Sequence, residues 1–258
     1  MNYRNYLDFA TETAYLAGRL TLGYFQNGTR TEWKADDSPI TVADREAERL
    51  IRQRISSRFP DHQIVGEEFG GVDDAHTASH RWFVDPIDGT KSFVHGVPMF
   101  AVLIGLEIDG RIEVGAAYFP ALDEMIAAAT GEGCRWNGRP ARVSQQSELS
   151  RSVVAHIDTA SFGRISPAKG QAWQRLQHAS YYNAGWCDAY GYALVATGRA
   201  EIAIDPIMNS WDCGPFPAIM REAGGYFGDW QGKETIFAQE ALATNLALLP
   251  QLLDLLAG

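Results

Sequence analysis

Apolar residues recur at helical spacing at the start of the chain. Leu7, Ala10, Ala14, Ala17 and Leu20 share one face, which predicts an amphipathic helix ending near Asn27-Gly28. The polar stretch from Trp33 to Ile40, with Ser38-Pro39 near its end, reads as an exposed loop. A second helix is predicted from Thr41 to Phe59, with Thr41 as N-cap. Asp44 is expected to point outward from its first turn, where a carboxylate is electrostatically favoured. The period then shortens. Ile64-Val65 and Trp82 to Asp85 read as strands, and Phe100 to Leu106 and Ile112 to Tyr118 as a hairpin turning at Asp109-Gly110. Met125 to Ala129 and Cys134 to Trp136, separated by Gly131-Glu132-Gly133, add further antiparallel strands. Ser152 to Ile157 reads as a strand, Ala189 to Ala196 as a helix, and Ile202 to Asp205 as a short strand ending in an acid. Trp211 to Ala223 is predicted as one helix, with Pro215 and Pro217 in its first two turns and Gly224-Gly225 as its stop. Leu246 to Leu256 is a leucine-rich helix in which Pro250 is a start or a break. Hairpins interleaved with helices predict a layered α/β (α+β) architecture, dividing into residues 1–148 and 149–258 that pack as one unit.

Composition narrows the chemistry. A chain of 258 residues that is 46% hydrophobic can bury a large core. Its net charge of -10, with no basic stripe, makes extended nucleic acid a poor partner. A small phosphorylated substrate would need a cation between it and the acids. Cys134, Cys187 and Cys213 are sparse and unclustered, which fits a reducing cytoplasm better than a disulfide framework. No signal-peptide core is visible between Met1 and Tyr24, and no apolar run is long enough for a membrane span. A cytoplasmic protein is therefore expected.

The candidate chemistry lies in five acids. In Trp82-Phe83-Val84-Asp85-Pro86-Ile87-Asp88-Gly89-Thr90 an apolar run ends in two carboxylates, a glycine and a hydroxyl. Pro86 forces an extended or turning backbone, so Asp85, Asp88 and the Ile87 carbonyl can converge on one cation. Oxygen donors suit Mg²⁺ or Mn²⁺. Gly89, Thr90 and Lys91 then offer backbone N–H groups at the start of a helix, where a phosphate is favoured. Taken alone, this segment reads equally well as a polar turn after a strand. Gly66-Glu67-Glu68 alone is a solvated acidic turn, and Asp44 and Asp212 alone are helix caps. None of these readings explains why all occur together. Two acids 4 Å apart would repel by roughly 4 kcal/mol at an effective dielectric near 20, so a cation is needed to hold them.

W-K-A-D-D-S-P-I-T-V-A-D ending at Asp44, Gly66-Glu67-Glu68, Trp82 to Phe93 and Trp211 to Gly225 together resemble the inositol monophosphatase superfamily, nearly end to end. The resemblance implies a five-layer αβαβα sandwich and a Mg²⁺-dependent phosphomonoesterase with two to three ions, Mn²⁺ being a possible substitute. It implies one ion on Glu67, Asp85 and the Ile87 carbonyl, a second on Asp85, Asp88 and Asp212, and a weaker third near Glu67. Residues 1–148 would thus carry most metal ligands. Thr90, hydrogen-bonded to Asp44, would position the attacking water with Glu67, and Gly89 and Thr90 would receive the phosphate. A homodimer is also implied.

The leaving-group side departs from the inositol-specific pattern. Asp188 stands where those enzymes have a small residue, and Asp205 where they have a glutamate. The run from Gly185 to Leu194 and Gly228-Asp229-Trp230-Gln231-Gly232 resemble the histidinol-phosphate phosphatase branch, although Trp186-Cys187 stands where glycine is expected there. Two carboxylates would pair with the ammonium and imidazole of histidinol phosphate. Their plain alternatives are a helix N-cap for Asp188 and a strand-end acid for Asp205. An inositol monophosphatase and a non-catalytic metal- or phosphate-binding regulator are the competing readings. Lys34 is expected on the solvated surface, His95 in a loop or packing role, and Trp82, Trp136 and Trp211 in packing.

Overall fold

The computed structural model describes residues 3–35, 38–71, 78–186 and 188–258. The Asp36-Asp37 pair of the first motif and the thiol of Cys187 lie outside these. Helix α1 (Arg4–Leu22) ends short of the predicted Asn27-Gly28 and buries Leu7, Ala10, Ala14 and Ala17. Strands β1 (Glu32–Trp33) and β2 (Pro39–Ile40) pair antiparallel across the polar segment. Helix α2 (Val42–Arg58) starts at the Thr41 cap. The chain continues through β3 (Gln63–Gly66), β4 (His80–Asp88), the single turn α3 (Thr90–Val94), β5 (Ala101–Ile108), β6 (Arg111–Phe119), β7 (Glu124–Ala129), β8 (Gly133–Trp136) and β9 (Arg139–Pro140). β3 to β9 form a seven-stranded sheet in sequence order, antiparallel except for the β3-β4 pair. Asp109 and Gly110 both have positive φ, which closes the β5-β6 hairpin as expected.

Past residue 150 come β10 (Val153–His156), α4 (Thr159–Ile165), α5 (Pro167–Ala179), β11 (Tyr182–Ala184), α6 (Ala189–Ala196) and β12 (Ile202–Asp205). They are followed by α7 (Ser210–Cys213), α8 (Phe216–Ala223), β13 (Gly225–Gly228), β14 (Ala241–Asn245) and α9 (Leu249–Ala257). A second, five-stranded sheet has the order β11-β10-β12-β14-β13. The helix expected from Trp211 to Ala223 is two helices, and Pro250 lies in the first turn of α9, marking its start.

Strand alternation builds the layers. Trp82, Val84, Val102, Ile104, Val114, Ala116 and Tyr118 face α1 and α2 in one core. Their neighbours Phe83, Leu103, Ala117 and Phe119 face the opposite way, onto α6, α8 and Ala203, Phe227 and Ala243 of the second sheet. Ile202, Ile204, Tyr226 and Leu242 face outward again, onto Phe162, Trp173, Leu176 and Leu252. The result is helices, sheet, helices, sheet, helices: the αβαβα sandwich. Both faces of each sheet are covered, which explains the near-continuous apolar runs.

Candidate active site

The inner face of β4 sets the first two acids. Phe83 and Asp85 share it by alternation, and Asp85 pairs with Leu103 while Asp88 pairs with Ala101. Three residues of β4 therefore span two of β5. That bulge returns Asp88 to the same face as Asp85 despite their odd spacing. Pro86, which has no N–H to give the ladder, sits inside the bulge. The Ile87 N–H donates to Asp85 Oδ1 at 2.9 Å, fixing that carboxylate locally.

Asp212 arrives from the middle layer. α7 ends at Gly214, whose carbonyl oxygen would lie 2.2 Å from a Cβ placed on Gly105. The Pro215 carbonyl would be equally close, 2.1 Å, to a Cβ on Gly115. Gly105 and Gly115 are paired neighbours on β5 and β6, beside Phe83 on β4. The break between α7 and α8 therefore rests directly on a glycine patch of the sheet. Gly214 and Pro215 keep helical φ and ψ, and the missing N–H groups of Pro215 and Pro217 divide Trp211 to Ala223 into two helices. One ligand oxygen each of Asp85, Asp88 and Asp212 lies within 4.8 Å of the others. Asp212 Oδ2 accepts from the Asn209 N–H at 2.7 Å.

Asp44 does not point outward. It is fully buried, and its Oδ2 accepts from the Thr41 N–H at 2.7 Å and the Thr41 hydroxyl at 2.6 Å. Its other oxygen faces Thr90, whose hydroxyl donates to the Ile87 carbonyl at 2.9 Å and, more loosely, to Asp44 Oδ1 at 3.4 Å. Glu67 lies in the turn after β3. That turn is held by Glu48, a buried acid of α2 that accepts from the Glu68 N–H at 2.7 Å and the Phe69 N–H at 3.3 Å. Lys34, expected on the solvated surface, instead donates to Glu67 at 2.7 Å and Glu68 at 2.9 Å. Burial alone would depress this ammonium, but its two carboxylate partners outweigh that and hold its pKa above the ordinary value.

The remaining acids line the same cleft of about 180 Å³. Asp188 precedes α6 but makes no capping bond; the Ala189 N–H donates instead to Asp88 Oδ2 at 2.7 Å. Gly89, with φ of 80°, leaves the space Asp188 occupies, since a Cβ there would lie 2.9 Å from Asp188 Oδ2. Asp205 ends β12 on the inner face with Ala203. Its Oδ2 accepts from the Tyr192 hydroxyl at 2.7 Å, and its buried Oδ1 has no hydrogen-bond partner among the described residues. Burial raises Asp85 and Asp88 well above the ordinary carboxylate range, reinforced by neighbouring acids. Burial likewise raises Asp44 and Asp188, and pushes Asp205 up to about 8 and Asp212 to about 7. An all-oxygen donor set this tight fits a hard divalent ion.

Glu67, Asp85, Ile87, Asp88, Gly89, Thr90, Asp188, Asp205 and Asp212 all line this one cleft, with Asp44 behind Thr90. Glu48 and Tyr192 were not foreseen. Spacing carried a signal for both: Glu48 lies four residues from Asp44 and three from the buried Ile51, and Tyr192 four from Asp188. His95 lies outside the cleft, its ring bonded to the Lys91 carbonyl at 2.8 Å. Trp82 is fully buried, while Trp136 and Trp211 pack at the edge of the inner core.

The sequence model of the Inositol monophosphatase family matches residues 2–257. This chain belongs to that family. As an inositol monophosphatase family member it is a metal-dependent phosphatase. It is 43% identical over 241 residues to a histidinol-phosphatase of Chlorobaculum parvum, covering 92% of this chain and 91% of the relative. It is 36% identical to the Mycobacterium tuberculosis histidinol-phosphatase, covering 84% of each chain. Among solved structures, the inositol monophosphatase from Anabaena superposes with a TM-score of 0.87 at 31% identity, covering 100% of this chain and 97% of that one. Within the family fold, no helix among the described residues is long and apolar enough to cross a membrane.

Proposed function

We propose that this phosphatase hydrolyses L-histidinol phosphate to L-histidinol and phosphate, using Mg²⁺ held by Glu67, Asp85, Asp88, Asp212 and the Ile87 carbonyl. Bound there, Mg²⁺ would acidify a water and spread the charge developing on the phosphoryl group. The Thr90 hydroxyl spends its proton on Ile87 and Asp44, so its oxygen is free to accept from the attacking water together with Glu67. The Gly89 and Thr90 N–H groups face the phosphate. The single observation that carries the substrate choice is the pair Asp188 and Asp205. These two carboxylates, Asp205 buried and Asp188 half-buried, line the cleft beyond what a metal cluster needs, and one oxygen of Asp205 has no hydrogen-bond partner among the described residues. A substrate bearing an ammonium and an imidazole compensates both, whereas a neutral polyol leaves their charge uncompensated. The 43% identity to the C. parvum histidinol-phosphatase supports the same choice.

The test is phosphate release by purified protein with Mg²⁺, comparing L-histidinol phosphate with inositol 1-phosphate, with EDTA controls. Strong preference for histidinol phosphate is expected. Asp188→Ala should damage that activity far more than hydrolysis of the neutral ester, and equal losses would remove Asp188 from recognition.

A further inference from the structure

Tyr192 lies in the first turn of α6, four residues after Asp188, which precedes the helix, and its hydroxyl reaches Asp205 at the end of β12. The Tyr192 ring is fully buried. It packs against Phe216 at 4.9 Å and Phe227 at 5.4 Å between ring centres. A phenol held this way has a fixed hydroxyl position, and that hydroxyl lies 2.7 Å from Asp205 Oδ2. The bond settles which Asp205 oxygen is committed. Oδ1 is left buried, in a residue lining the cleft, with no hydrogen bond of normal geometry among the described residues, although the Ile157 N–H also acts on this carboxylate. Buried acceptors without a donor are uncommon and costly, and a cationic ligand group would satisfy this one.

We infer that Tyr192 is a positioning residue for substrate recognition: its hydroxyl fixes one oxygen of Asp205 so that the other is presented to the cationic end of the ester. This rests on the histidinol phosphate reading. Tyr192 touches neither the phosphate nor the metal cluster in this scheme; it acts through Asp205. Its donated hydrogen bond also favours the ionised carboxylate, the form that attracts a cation. The sequence signal is the Asp-x-x-x-Tyr spacing on α6, which the capping reading of Asp188 hides.

Tyr192→Phe keeps the ring and its packing and removes only the hydroxyl. A melting curve confirms that the variant is folded before kinetics are measured. The KM for L-histidinol phosphate is expected to rise about tenfold, the scale of a lost hydrogen bond to a charged group. The kcat, and both constants for inositol 1-phosphate, should stay within about twofold, because uniform binding to one ester alone is lost. Asp205→Asn should give the same selectivity loss with Tyr192 in place, and adding Tyr192→Phe to it should cost nothing further. Equal damage to both esters, or a full Tyr192→Phe effect in the Asp205→Asn background, would overturn the positioning role and leave the substrate reading standing. A wild-type enzyme with no preference for histidinol phosphate would overturn both.

Discussion

Replacing Gly105 by alanine should cost both stability and metal binding, although Gly105 touches no ligand. It pairs with Phe83 on one side and Gly115 on the other, in the middle of the seven-stranded sheet. The new Cβ would lie 2.2 Å from the Gly214 oxygen and 2.4 Å from its carbonyl carbon. An ordinary contact needs roughly 1 Å more. Neither backbone can yield cheaply: Gly105 is locked in two ladders, and Gly214 follows Asp212 by two residues. Overpacking of this kind costs about 1–3 kcal/mol, and in a domain of this size each kcal/mol is about 2–4 °C of Tm. A shift of about 1 Å in a positioned group can cost about a hundredfold in rate. The assays are calorimetric titration with Mg²⁺, a melting curve and phosphate release. Gly163→Ala is the matched control. Gly163 lies in α4 with nothing within 4 Å of the added methyl, so this variant should melt at or above wild type, the helix gaining up to about 1 kcal/mol. A Gly105→Ala protein with wild-type melting and wild-type Mg²⁺ affinity would refute the claim that this glycine patch seats Asp212.

Two further predictions follow from the same geometry. Glu48→Ala strips the acceptor from the Glu68 and Phe69 N–H groups and from Arg52 Nε, so it should destabilise by about 2–4 kcal/mol and weaken Mg²⁺ binding by loosening the turn that carries Glu67; unchanged Mg²⁺ affinity in a folded variant would refute the link. His62 Nδ1 accepts from Trp82 Nε1 at 3.0 Å, and burial, with the neighbouring His80, pushes its pKa from 6.5 down to about 4. In that window the unfolded chain binds a proton that the folded one refuses, so stability should fall as pH drops from about 6.5 toward 4. Urea unfolding at pH 7 and pH 5 reads this, and His62→Gln should narrow the difference.

What was legible in the sequence is what short-range physics decides. The apolar runs of β4 to β8 are long, β-prone and punctuated by glycines with positive φ, so their pairing follows from local pattern. The Asp85 to Thr90 segment bends itself, through Pro86 and the Ile87 N–H to Asp85 contact, and needs little from outside. Illegible features depend on partners far away in sequence. The split within Trp211 to Ala223 is a local exception: Gly214 and Pro215 keep helical φ and ψ, and Pro215 and Pro217 lack the N–H groups that an unbroken helix needs at those positions. Lys34 finds its acids only once β1 and β2 fold toward the turn after β3. β13 is bounded by glycines and β14 is alanine-rich, so both are weak strand formers that the sheet recruits. Asp44 is the helix-start acid of a capping box, but it also lies on the stripe Asp44, Glu48, Ile51, Ile55 that forms the buried face of α2, so it turns inward rather than to solvent.

That stripe points to how the fold tolerates so many buried acids. Each of the cluster's carboxylates is tied to a nearby backbone N–H: Asp85 to Ile87, Asp88 to Ala189, Asp212 to Asn209, and Asp44 behind them to Thr41. These donors fix position without neutralising charge, and the pKa values of all four remain raised. The donors come from both sides of residue 149: the Ala189 amide of α6 holds an acid of β4, and the α7-α8 junction that carries Asp212 rests on β5 and β6. The site thus belongs to neither half of the chain. Its geometry is set by the protein, while its charge balance is left for a metal ion to complete.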